Sequence, residues 1–467
     1  MWNLKEFSHN IAVIEDNGRQ MSYAQLADES DALAQNIPGR CLVFCLCSNT
    51  AGALIGYVSS ILNHKPVLLL DNHIDEELLQ HFIEVYKPDY LWAPQDKNLL
   101  FQNVIYRSHG YCLVKTSYSC AYPWYENLAL LLTTSGSTGS PKLVRLSYEN
   151  LIANTNSIVQ YLELTEKERP VTTLPMNYTY GLSIINTHLK VGATLLLTEK
   201  SLMQKEFWEF LSKEQATSFG GVPYTYEMLN KLLFFRRDLP SLKTMTQAGG
   251  KLLPELHKKF AEYAAAKNKN FVVMYGQTEA TSRMAYLPAD KSLEKNGSMG
   301  IAIPGGRFDL IDENGSIITQ PHIVGELIYY GKNVSLGYAQ CGEDLAKQDE
   351  RLGRLETGDM AKFDEDGFYY IVGRKKRFLK IFGNRVGLDE TERLIKTHFP
   401  AIECACCGKD DKLYAFITAK TFCDEVKTFL AEKTRLNPVA FCVQYVQEIP
   451  KNDAGKILYK DLEKFYV

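Results

Sequence analysis

The stretch from Leu128 to Lys142 combines an apolar run with residue types that bind phosphate. Leu128 to Leu132 have the length and apolar character of a strand that is buried on both faces. Lys142 adds a positive charge, and a helix with Ser147 as its N-cap is predicted to follow. Backbone N–H groups, hydroxyls and two glycines, which let the main chain wrap around a small anion, come from Ser135, Gly136, Ser137, Thr138 and Gly139. The stretch predicts a phosphate-binding loop.

Two other interpretations of this loop need to be weighed. A stretch rich in Ser, Thr and Gly is also typical of a solvated linker. A Walker P-loop requires the lysine directly after the last glycine and a Ser or Thr after the lysine. Here Pro141 precedes the lysine and Leu143 follows it, which excludes the Walker motif. The choice between another kind of phosphate loop and a linker depends on the rest of the chain.

Polar turns follow two further predicted strands. Gly249 and Gly250 come directly after an apolar run, and Tyr275-Gly-Gln-Thr-Glu279 ends the next one. Ligands of open α/β sheets collect beyond the carboxyl ends of the strands. The strand ends at Ser135, Gly249 and Tyr275 are therefore predicted to converge on one ligand.

The remaining patterns indicate how these turns are held. Leu42–Leu46, Ala53–Leu62 and Val67–Leu70 alternate as strand, helix and strand, which predicts a parallel sheet with helices on its faces. Beyond Gly300, short alternating strands with glycine turns predict a small antiparallel subdomain. A charged connection follows Gly373, so we expect a domain boundary there and a compact α+β unit after it.

Bulk composition narrows the class of protein. The chain has 467 residues, of which 45% are hydrophobic, enough for more than one domain. A formal net charge of −3 gives no general attraction to nucleic acid or anionic membranes. No signal peptide and no run of about 18 apolar residues is present, so we expect a cytoplasmic protein without a transmembrane segment. The 11 cysteines are expected to be free thiols in the core rather than disulfides or zinc ligands.

Several motifs together carry a family resemblance. The loop Ser135-Gly-Ser-Thr-Gly-Ser-Pro-Lys142 resembles the signature loop of the adenylate-forming, or AMP-binding, superfamily. That superfamily includes acyl-CoA synthetases, peptide-synthetase adenylation domains and firefly-type luciferases. Tyr275–Glu279, Ala248–Gly250, Thr357–Asp359 and Pro450–Lys456 are similar to its further motifs, in order and spacing, across nearly the whole chain.

The resemblance implies an α/β fold in two parts. A large N-terminal domain of layered sheets and helices with a small antiparallel β subdomain, residues 1–373, would bind ATP and the acid. A small mobile C-terminal α+β lid, residues 374–467, would carry the catalytic lysine, Lys456. A lysine that contacts both the carboxylate and the α-phosphate would offset their mutual repulsion.

The resemblance also assigns roles to individual residues. Tyr275 would stack on adenine, Glu279 would coordinate Mg²⁺, and Asp359 with Arg374 would hold the ribose. The implied catalytic residues are Lys456, Glu279, Thr134 and Lys142. The implied nucleotide-binding residues are Ser135, Gly136, Ser137, Thr138, Gly139, Gly249, Gly250, Lys251, Tyr275, Gly276, Gln277, Thr278, Asp359 and Arg374.

Further residues are assigned to the lid and to the acid pocket. Lys376 matches the hinge position, and Gly383 would line the passage for a pantetheine arm. The acid pocket is expected at Tyr178, Gly181, Val222 and Gly249. Each motif also has an ordinary structural interpretation: Thr357-Gly-Asp359 is a common turn, and Arg374 and Lys456 could be solvated charges. Their order and spacing favour the chemical interpretation.

The acid and its acceptor are only partly specified. Peptide-synthetase domains generally place an aspartate near the Tyr178 position to hold the substrate ammonium, and no carboxylate stands there. Burial of an unpaired ammonium is costly, which disfavours an ordinary α-amino acid. The thiol acceptor is expected to be coenzyme A or the phosphopantetheine of a separate acyl carrier protein.

Together these features predict an ATP-dependent acid:thiol ligase. It would form an acyl-adenylate with release of pyrophosphate, then a thioester with release of AMP. The alternatives are an amino-acid-activating adenylation enzyme that loads a carrier protein, a luciferase-like oxidoreductase, and a non-catalytic nucleotide-binding module.

Overall fold

The computed structural model divides into two compact units. It describes residues 1–100, 103–119, 121–133, 142–382, 384–409, 411–434, 436–451 and 457–466, without the side chains of 98–100, 376, 378, 380, 384 and 385. The first unit comprises Met1–Asn296, Gly300–Arg307 and Tyr329–Leu355. The second comprises Gly297–Met299, Phe308–Ile328 and Glu356–Val467.

Strands and helices alternate through most of the chain. The strands are β1 Ile11–Glu15, β2 Gln20–Ser22, β3 Val43–Cys47, β4 Val67–Asp71, β5 Tyr90–Pro94, β6 Val104–Ser108, β7 Tyr111–Lys115, β8 Leu128–Thr133, β9 Leu143–Ser147, β10 Pro170–Val171, β11 Leu195–Leu197, β12 Ser218–Gly221, β13 Thr244–Gln247, β14 Asn270–Tyr275, β15 Ala285–Tyr286, β16 Ile301–Ala302, β17 Arg307–Ile311, β18 Gly325–Tyr330, β19 Gly337–Ala339, β20 Arg354–Phe363, β21 Tyr369–Arg374, β22 Phe378–Ile381, β23 Asn384–Gly387, β24 Cys404–Lys409, β25 Lys412–Ile417 and β26 Phe441–Tyr445.

The helices lie between these strands. The α-helices are α1 Tyr23–Gln35, α2 Ala51–Leu62, α3 Glu76–Tyr86, α4 Tyr148–Tyr161, α5 Thr179–Lys190, α6 Lys205–Lys213, α7 Pro223–Lys231, α8 Pro254–Ala266, α9 Leu388–His398, α10 Cys423–Thr434 and α11 Tyr459–Leu462. Short 3₁₀ helices span Leu4–Phe7, Gln95–Leu100, Phe234–Arg236, Thr278–Ala280, Ala289–Lys291, Gly342–Ala346, Lys375–Arg377, Lys420–Phe422, Pro438–Ala440 and Glu463–Phe465.

Two large sheets form the first unit. The first sheet has the strand order β16-β15-β14-β13-β12-β10-β11-β1-β2, and its strands from β14 to β1 are parallel. The second sheet has the order β19-β9-β8-β4-β3-β5-β7-β6, with β8, β4, β3 and β5 parallel and antiparallel strands at both edges. The predicted parallel sheets are therefore confirmed for the centre of each sheet.

The central strands of the second sheet are buried on both faces, as their apolar runs predict. Val43, Cys45 and Cys47 belong to one core cluster, and Phe44 and Leu46 belong to another. The first cluster also contains residues of α1, α2, α5 and both large sheets, so these elements share one core. Cys41 lies in the same cluster, which confirms that these three cysteines are core residues on one face.

The second unit has a separate core. Its strands form a sheet with the order β24-β25-β26, and β22 pairs with β23 in an antiparallel hairpin. Apolar side chains of β22, β24, α9 and α10 pack together, including those of Ile381, Ile395, Cys406 and Leu430. Most of the predicted antiparallel subdomain also belongs to this unit, with the strand order β17-β18-β20-β21 and an antiparallel β20–β21 pair.

The structure adds one strand to the sequence-based expectation and leaves the predicted domain division as a prediction. The helix predicted after the phosphate loop is present as α4, and Ser147 caps it, but strand β9 comes first and pairs antiparallel with β8. The domain boundary predicted after Gly373 falls within the second unit, because β20 and β21 group with the C-terminal residues. That functional division stays a prediction.

Within the described residues, none of the helices is both long and apolar enough to cross a membrane.

Two histidines of the first unit are buried, and burial is the largest effect on the pKa of each. His188 Nδ1–H donates to the carbonyl of Ile184 at 2.7 Å, and His257 Nε2 lies 3.0 Å from Ser292 Oγ. Burial lowers the pKa of both histidines to about 4, although backbone hydrogen bonds to Ile184 and Ser292 oppose the shift, as does the charge of Glu168 at His188.

We therefore expect the free energy of unfolding to fall between about pH 6.5 and about pH 4. The unfolded chain takes up protons on His188 and His257 below pH 6.5, whereas the folded chain does so only near pH 4. The free energy of unfolding therefore falls by about 3 kcal/mol for each histidine over this range. Urea unfolding at pH 7, 6 and 5 measures it. The double variant His188→Gln/His257→Gln should have a shallower pH dependence, and the exposed control His73→Gln should not. Equal slopes in all three proteins would contradict the assignment.

Candidate active site

Part of the predicted site lies outside the described residues. This applies to Thr134, Ser135, Gly136, Ser137, Thr138, Gly139, Gly383 and Lys456. The roles of these residues stay predictions. The strands that flank the phosphate loop are described, and Thr133 of β8 is the register partner of Leu143 of β9.

Lys142 lies immediately before β9 and contacts an aromatic ring. Its Nζ is 3.5 Å from the ring centroid of Tyr338. Tyr338 belongs to β19, which pairs antiparallel with β9 and places Tyr338 opposite Val144. The guanidinium carbon of Arg351 lies 4.7 Å from the same centroid, so two cations contact one ring.

The hydroxyl of Tyr338 connects this ring to the predicted metal ligand. It donates a hydrogen bond of 2.7 Å to Oε1 of Glu279, which lies in the 3₁₀ helix after β14. Burial and the charge of Glu279 raise the pKa of Tyr338 to about 12, while Arg351 opposes the shift. The hydroxyl therefore stays protonated and can donate at neutral pH. Lys142, Tyr338 and Glu279 form one contiguous cluster in the first unit.

The turn that carries Glu279 is fixed by a buried asparagine. Asn333 Nδ2 donates to the carbonyls of Ala280, at 2.9 Å, and Arg283, at 2.8 Å. Its Oδ1 accepts from the hydroxyl of Tyr329 at 2.8 Å, and its carbonyl accepts from Thr281 Oγ1 at 2.6 Å. Thr281 has a φ of 65°, which is unusual for a β-branched residue. These bonds hold the strained turn in a single conformation.

The predicted adenine motif begins where β14 ends. A Cβ at Gly276 would collide with the carbonyl oxygen of Ser282, so the motif needs glycine for this close approach. Gln277 Nε2 lies 3.4 Å from the hydroxyl of Tyr275. Thr278 starts the 3₁₀ helix that contains Glu279. Four of the predicted nucleotide-binding residues thus form one tight turn with Glu279.

Gly249, Gly250 and Lys251 follow β13, the parallel neighbour of β14 in the first sheet. Two of the three predicted strand ends, at Gly249 and Tyr275, therefore lie at the same edge of that sheet, whereas Ser135 is outside the described residues. Gln247 Nε2 donates to the carbonyl of Gly250 at 2.9 Å. Lys251 is exposed.

The residues predicted to line the acid pocket are close together at this edge. A Cβ on Gly249, whose φ is 85°, would lie 2.7 Å from the hydroxyl of Tyr178 and 3.0 Å from Cγ1 of Val222. The three residues border one apolar cluster with Tyr180 and Met274. Gly181 has another reason to be glycine, because a Cβ there would collide with a carbonyl of the preceding turn.

A buried arginine near this cluster was not singled out by its sequence context. Arg283 is 3% exposed, and its guanidinium carbon lies 3.9 Å from the ring centroid of Tyr180. One of its terminal N–H groups donates to Ser282 Oγ at 2.7 Å. Sequence reasoning did not identify three residues of this region, Tyr338, Asn333 and Arg283. Their contacts involve residues distant in sequence or residue types that form no recognisable motif.

The predicted ribose-binding pair lies in the second unit. Asp359 and Arg374 are register partners in the antiparallel β20–β21 pair, which explains their spacing in the sequence. Arg374 Nε lies 3.3 Å from Asp359 Oδ1, and the backbone N–H of Asp359 donates to Thr357 Oγ1 at 3.1 Å. The Asp359 side chain is 6% exposed, whereas that of Arg374 is 64% exposed. The turn thus fixes the backbone at Asp359, and the carboxylate forms an ion pair with an exposed cation.

The predicted hinge residue has anchored neighbours on both sides. Lys376 lies in the 3₁₀ helix Lys375–Arg377. Lys375 Nζ contacts Glu326 at 2.6 Å. Arg377 contacts Asp389 at 2.5 Å and Glu392 at 2.7 Å. Burial opposes the charge of Arg377, but these two carboxylates and the ring of Tyr459 outweigh it and raise the arginine pKa.

Comparison with known proteins identifies the family. The family model of the AMP-binding enzyme matches residues 2–339, and the chain therefore belongs to that family. It is 32% identical over 358 residues to the peroxisomal OPC-8:0-CoA ligase 1 of Arabidopsis thaliana, covering 73% of this chain and 64% of that protein. It is 29% identical over 350 residues to a long-chain-fatty-acid–CoA ligase of Bacillus subtilis, covering 72% and 61%. The chain thus matches less than two thirds of the length of these relatives.

Solved structures show the same fold. The o-succinylbenzoate CoA synthetase of Bacillus subtilis, in complex with its acyl-adenylate, has a TM-score of 0.80 at 21% identity and covers 99% of this chain and 98% of its own. An anthranilate CoA ligase bound to anthranoyl-AMP has a TM-score of 0.80 at 20% identity, with 99% and 96% covered. The predicted α/β fold of the adenylate-forming superfamily is confirmed.

The Tyr338 cluster yields a stability prediction. Tyr338→Phe keeps the ring beside Lys142 and Arg351 but removes the hydrogen bond to Glu279, so we expect a loss of about 1–2 kcal/mol in the free energy of unfolding. Tyr330→Phe is the matched control, because the ring of Tyr330 also carries an arginine, Arg307, at 4.3 Å. Urea unfolding of both variants tests this. A change of less than 0.5 kcal/mol in Tyr338→Phe would contradict the assigned hydrogen bond.

Proposed function

We propose that the protein is an ATP-dependent acid:thiol ligase. It converts a carboxylic acid into an acyl-adenylate with release of pyrophosphate, and then into a thioester with release of AMP. The observation that carries the proposal is the contact of one side chain, Tyr338, with both Lys142 of the predicted phosphate loop and Glu279 of the predicted metal site. Membership of the AMP-binding enzyme family supports the same reaction.

The charges at this cluster suit the adenylation step. Attack of a carboxylate on the α-phosphate brings two anions together, and Lys142 supplies a cation beside the predicted phosphate loop. Lys456 is proposed to supply a second cation from the lid. Cations fixed in position before the reaction stabilise the negative charge that develops on phosphorus without having to reorganise.

The residues of the site fit one hard cation. Glu279 offers a carboxylate with a second oxygen besides the one that accepts from Tyr338. No cluster of three or more acidic, histidine or cysteine side chains that could hold a metal occurs within the described residues. Magnesium is commonly held by one or two carboxylates together with substrate phosphates, so Glu279 alone suits it. When bound, Mg²⁺ would screen the phosphate charges of ATP.

The acid pocket disfavours the amino-acid-activating alternative. A substrate α-ammonium needs a nearby carboxylate, and Tyr178 stands where peptide-synthetase domains generally place one. Arg283, a buried cation beside Tyr180, would repel an ammonium in the same cluster. We therefore assign a carboxylic acid without an α-ammonium group as the substrate.

Coenzyme A is the proposed acceptor, with an acyl carrier protein as the second candidate. The curated relatives described above are named as CoA ligases. We further propose that the protein acts in the cytoplasm, where a reducing environment keeps thiols such as the buried Cys45 and Cys406 free. A fluorescent fusion expressed in the native host would test the location.

Pyrophosphate exchange into ATP tests the first half-reaction without knowledge of the acceptor. The protein is incubated with ATP, magnesium and labelled pyrophosphate across short and long fatty acids, aryl acids, and D- and L-amino acids. Acid-dependent exchange establishes adenylation and names the acid class. Exchange with amino acids alone would favour the alternative enzyme, and ATP binding without exchange for any acid would favour a non-catalytic module.

We expect Lys456→Ala to reduce acid-dependent exchange by about 100-fold or more while ATP binding survives, because it removes a cation from the developing charge. Lys460→Ala, a change of an exposed lysine in α11, is the control and should leave exchange unchanged. Acyl-AMP formation is measured directly by single-turnover assay. Near-normal formation in Lys456→Ala would remove the assigned role.

The hinge assignment predicts a separation of the two half-reactions. Lys375 forms an ion pair with Glu326, which precedes the proposed hinge in the sequence. Arg377 forms ion pairs with Asp389 and Glu392, which follow it. Backbone rotation is therefore expected to be concentrated at Lys376. Proline restricts the backbone, so Lys376→Pro should spare acyl-AMP formation and slow thioester formation by at least about 10-fold.

The alanine variant at this position is the control. Lys376→Ala keeps backbone freedom and should retain both half-reactions. Thioester formation from preformed acyl-AMP is measured with coenzyme A and with carrier protein. A second half-reaction at the normal rate in Lys376→Pro would exclude Lys376 as the hinge.

A further inference from the structure

Arg283 is a buried cation whose hydrogen-bonding capacity is incompletely used. Its residue is 3% exposed, and its Nε is buried without a hydrogen-bond partner. The guanidinium donates to Ser282 Oγ and lies over the ring of Tyr180. No carboxylate of the described residues forms an ion pair with it within 4.0 Å. Its charge therefore has the hydroxyls of Ser282 and Tyr161, the carbonyl of Ser282 at 3.5 Å and an aromatic face as partners, but no anion among the described residues.

The guanidinium borders the cluster assigned to the acid. Tyr180 belongs to the same apolar cluster as Val222 and Ala248. Burial raises the pKa of Tyr161, Tyr178 and Tyr180, and the charge of Arg283 is the largest effect that opposes this shift on each of them. The charge of Arg283 thus acts on all three tyrosines, including Tyr178, which lies beside Gly249.

A buried charge without an anionic partner is strongly unfavourable, and neither a hydroxyl nor a cation–π contact offsets it fully. A guanidinium is also always charged, so it cannot avoid the penalty by losing a proton. An anion that enters the cluster with the substrate would remove the penalty. Carboxylate and phosphate are the anions that the planar fork of arginine binds through two parallel hydrogen bonds, and the position of Arg283 beside the proposed acid cluster favours a carboxylate.

We propose that Arg283 binds a second carboxylate of the substrate, so that the acid is a dicarboxylic acid with one reacting and one recognised end. This inference rests on the proposed acid:thiol ligase function. A monocarboxylic acid of equal length would place methyl or methylene groups against the buried charge. A substrate with an ammonium group would be repelled.

The experiment measures pyrophosphate exchange with matched pairs of acids. Straight-chain dicarboxylates from succinate to suberate are each compared with the monocarboxylate of the same carbon number. We expect the protein to favour the dicarboxylate in kcat/KM by roughly 100-fold or more at its best length, because loss of a buried polar partner is heavily penalised. Arg283→Gln should abolish the preference, and Arg283→Lys should retain part of it.

Arg237→Gln is the matched control. Arg237 also lies 3.9 Å above an aromatic ring, that of Trp208, and its Nε also lacks a hydrogen-bond partner. It is not in the acid cluster, so the variant should keep the preference of the unmodified protein. This control separates loss of substrate recognition from loss of an arginine–aromatic contact.

The outcomes separate this inference from the proposed function. If the protein favours monocarboxylates, or if Arg283→Gln lowers exchange with both acids of a pair equally, the inference is overturned while adenylation stands. If no acid supports exchange, the proposed function fails. In that case, calorimetric titration with the dicarboxylates decides the inference: binding that is lost in Arg283→Gln supports it, and equal or absent binding in both proteins overturns it.

Discussion

The hydrogen bond from Tyr338 to Glu279 depends on two pieces of backbone that are distant in sequence. Pairing of β19 with β9 sets the position of the ring beside Lys142. The turn after β14, fixed by Asn333, sets the position of the carboxylate. Because β9 also pairs with β8, the described ends of the predicted phosphate loop are tied to the same ring. A shift of either segment would separate Lys142 from Glu279. The relative position of these two side chains therefore depends on the ring and hydroxyl of Tyr338.

In the second unit, ion pairs rather than an aromatic ring position the predicted functional residues. The carboxylate of Asp359 forms an ion pair with Arg374 across the strand pair, and the neighbours of Lys376 each contact a different carboxylate. Arg377 is the buried member of this set. Its ion pairs with Asp389 and Glu392 fix the position of the first turns of α9. Breaking either pair would leave a buried charge without its partner, which is strongly unfavourable. The backbone at Lys376 therefore lies between two fixed points.

Sequence patterns predicted most of the fold, since periodicity and turn residues are local signals. Strand β3, helix α2, strand β4 and the parallel pairing of the two strands follow from them. Strand β9 was not predicted because Arg145 interrupts its apolar run. In the structure Arg145 is fully buried, and its guanidinium bonds to Glu350 and to the carbonyls of Tyr338 and Leu336. The motifs identified Glu279 and Gly249, but not Tyr338, whose role depends on a strand pairing that no local pattern encodes.

Arg145 and Arg283 show what distinguishes a structural buried charge from one that is open to a ligand. Both side chains are almost completely buried in the first unit. The guanidinium of Arg145 has an anion and several carbonyl groups as partners, which replace its lost hydration and hold β19 against β9. That of Arg283 has the hydroxyls of Ser282 and Tyr161 and the ring of Tyr180 as partners, and its buried Nε has no hydrogen-bond partner. Folding alone accounts for the first arginine. The second would be accounted for by the proposed substrate anion, and selectivity for the substrate would then follow from the desolvation energy of the buried charge.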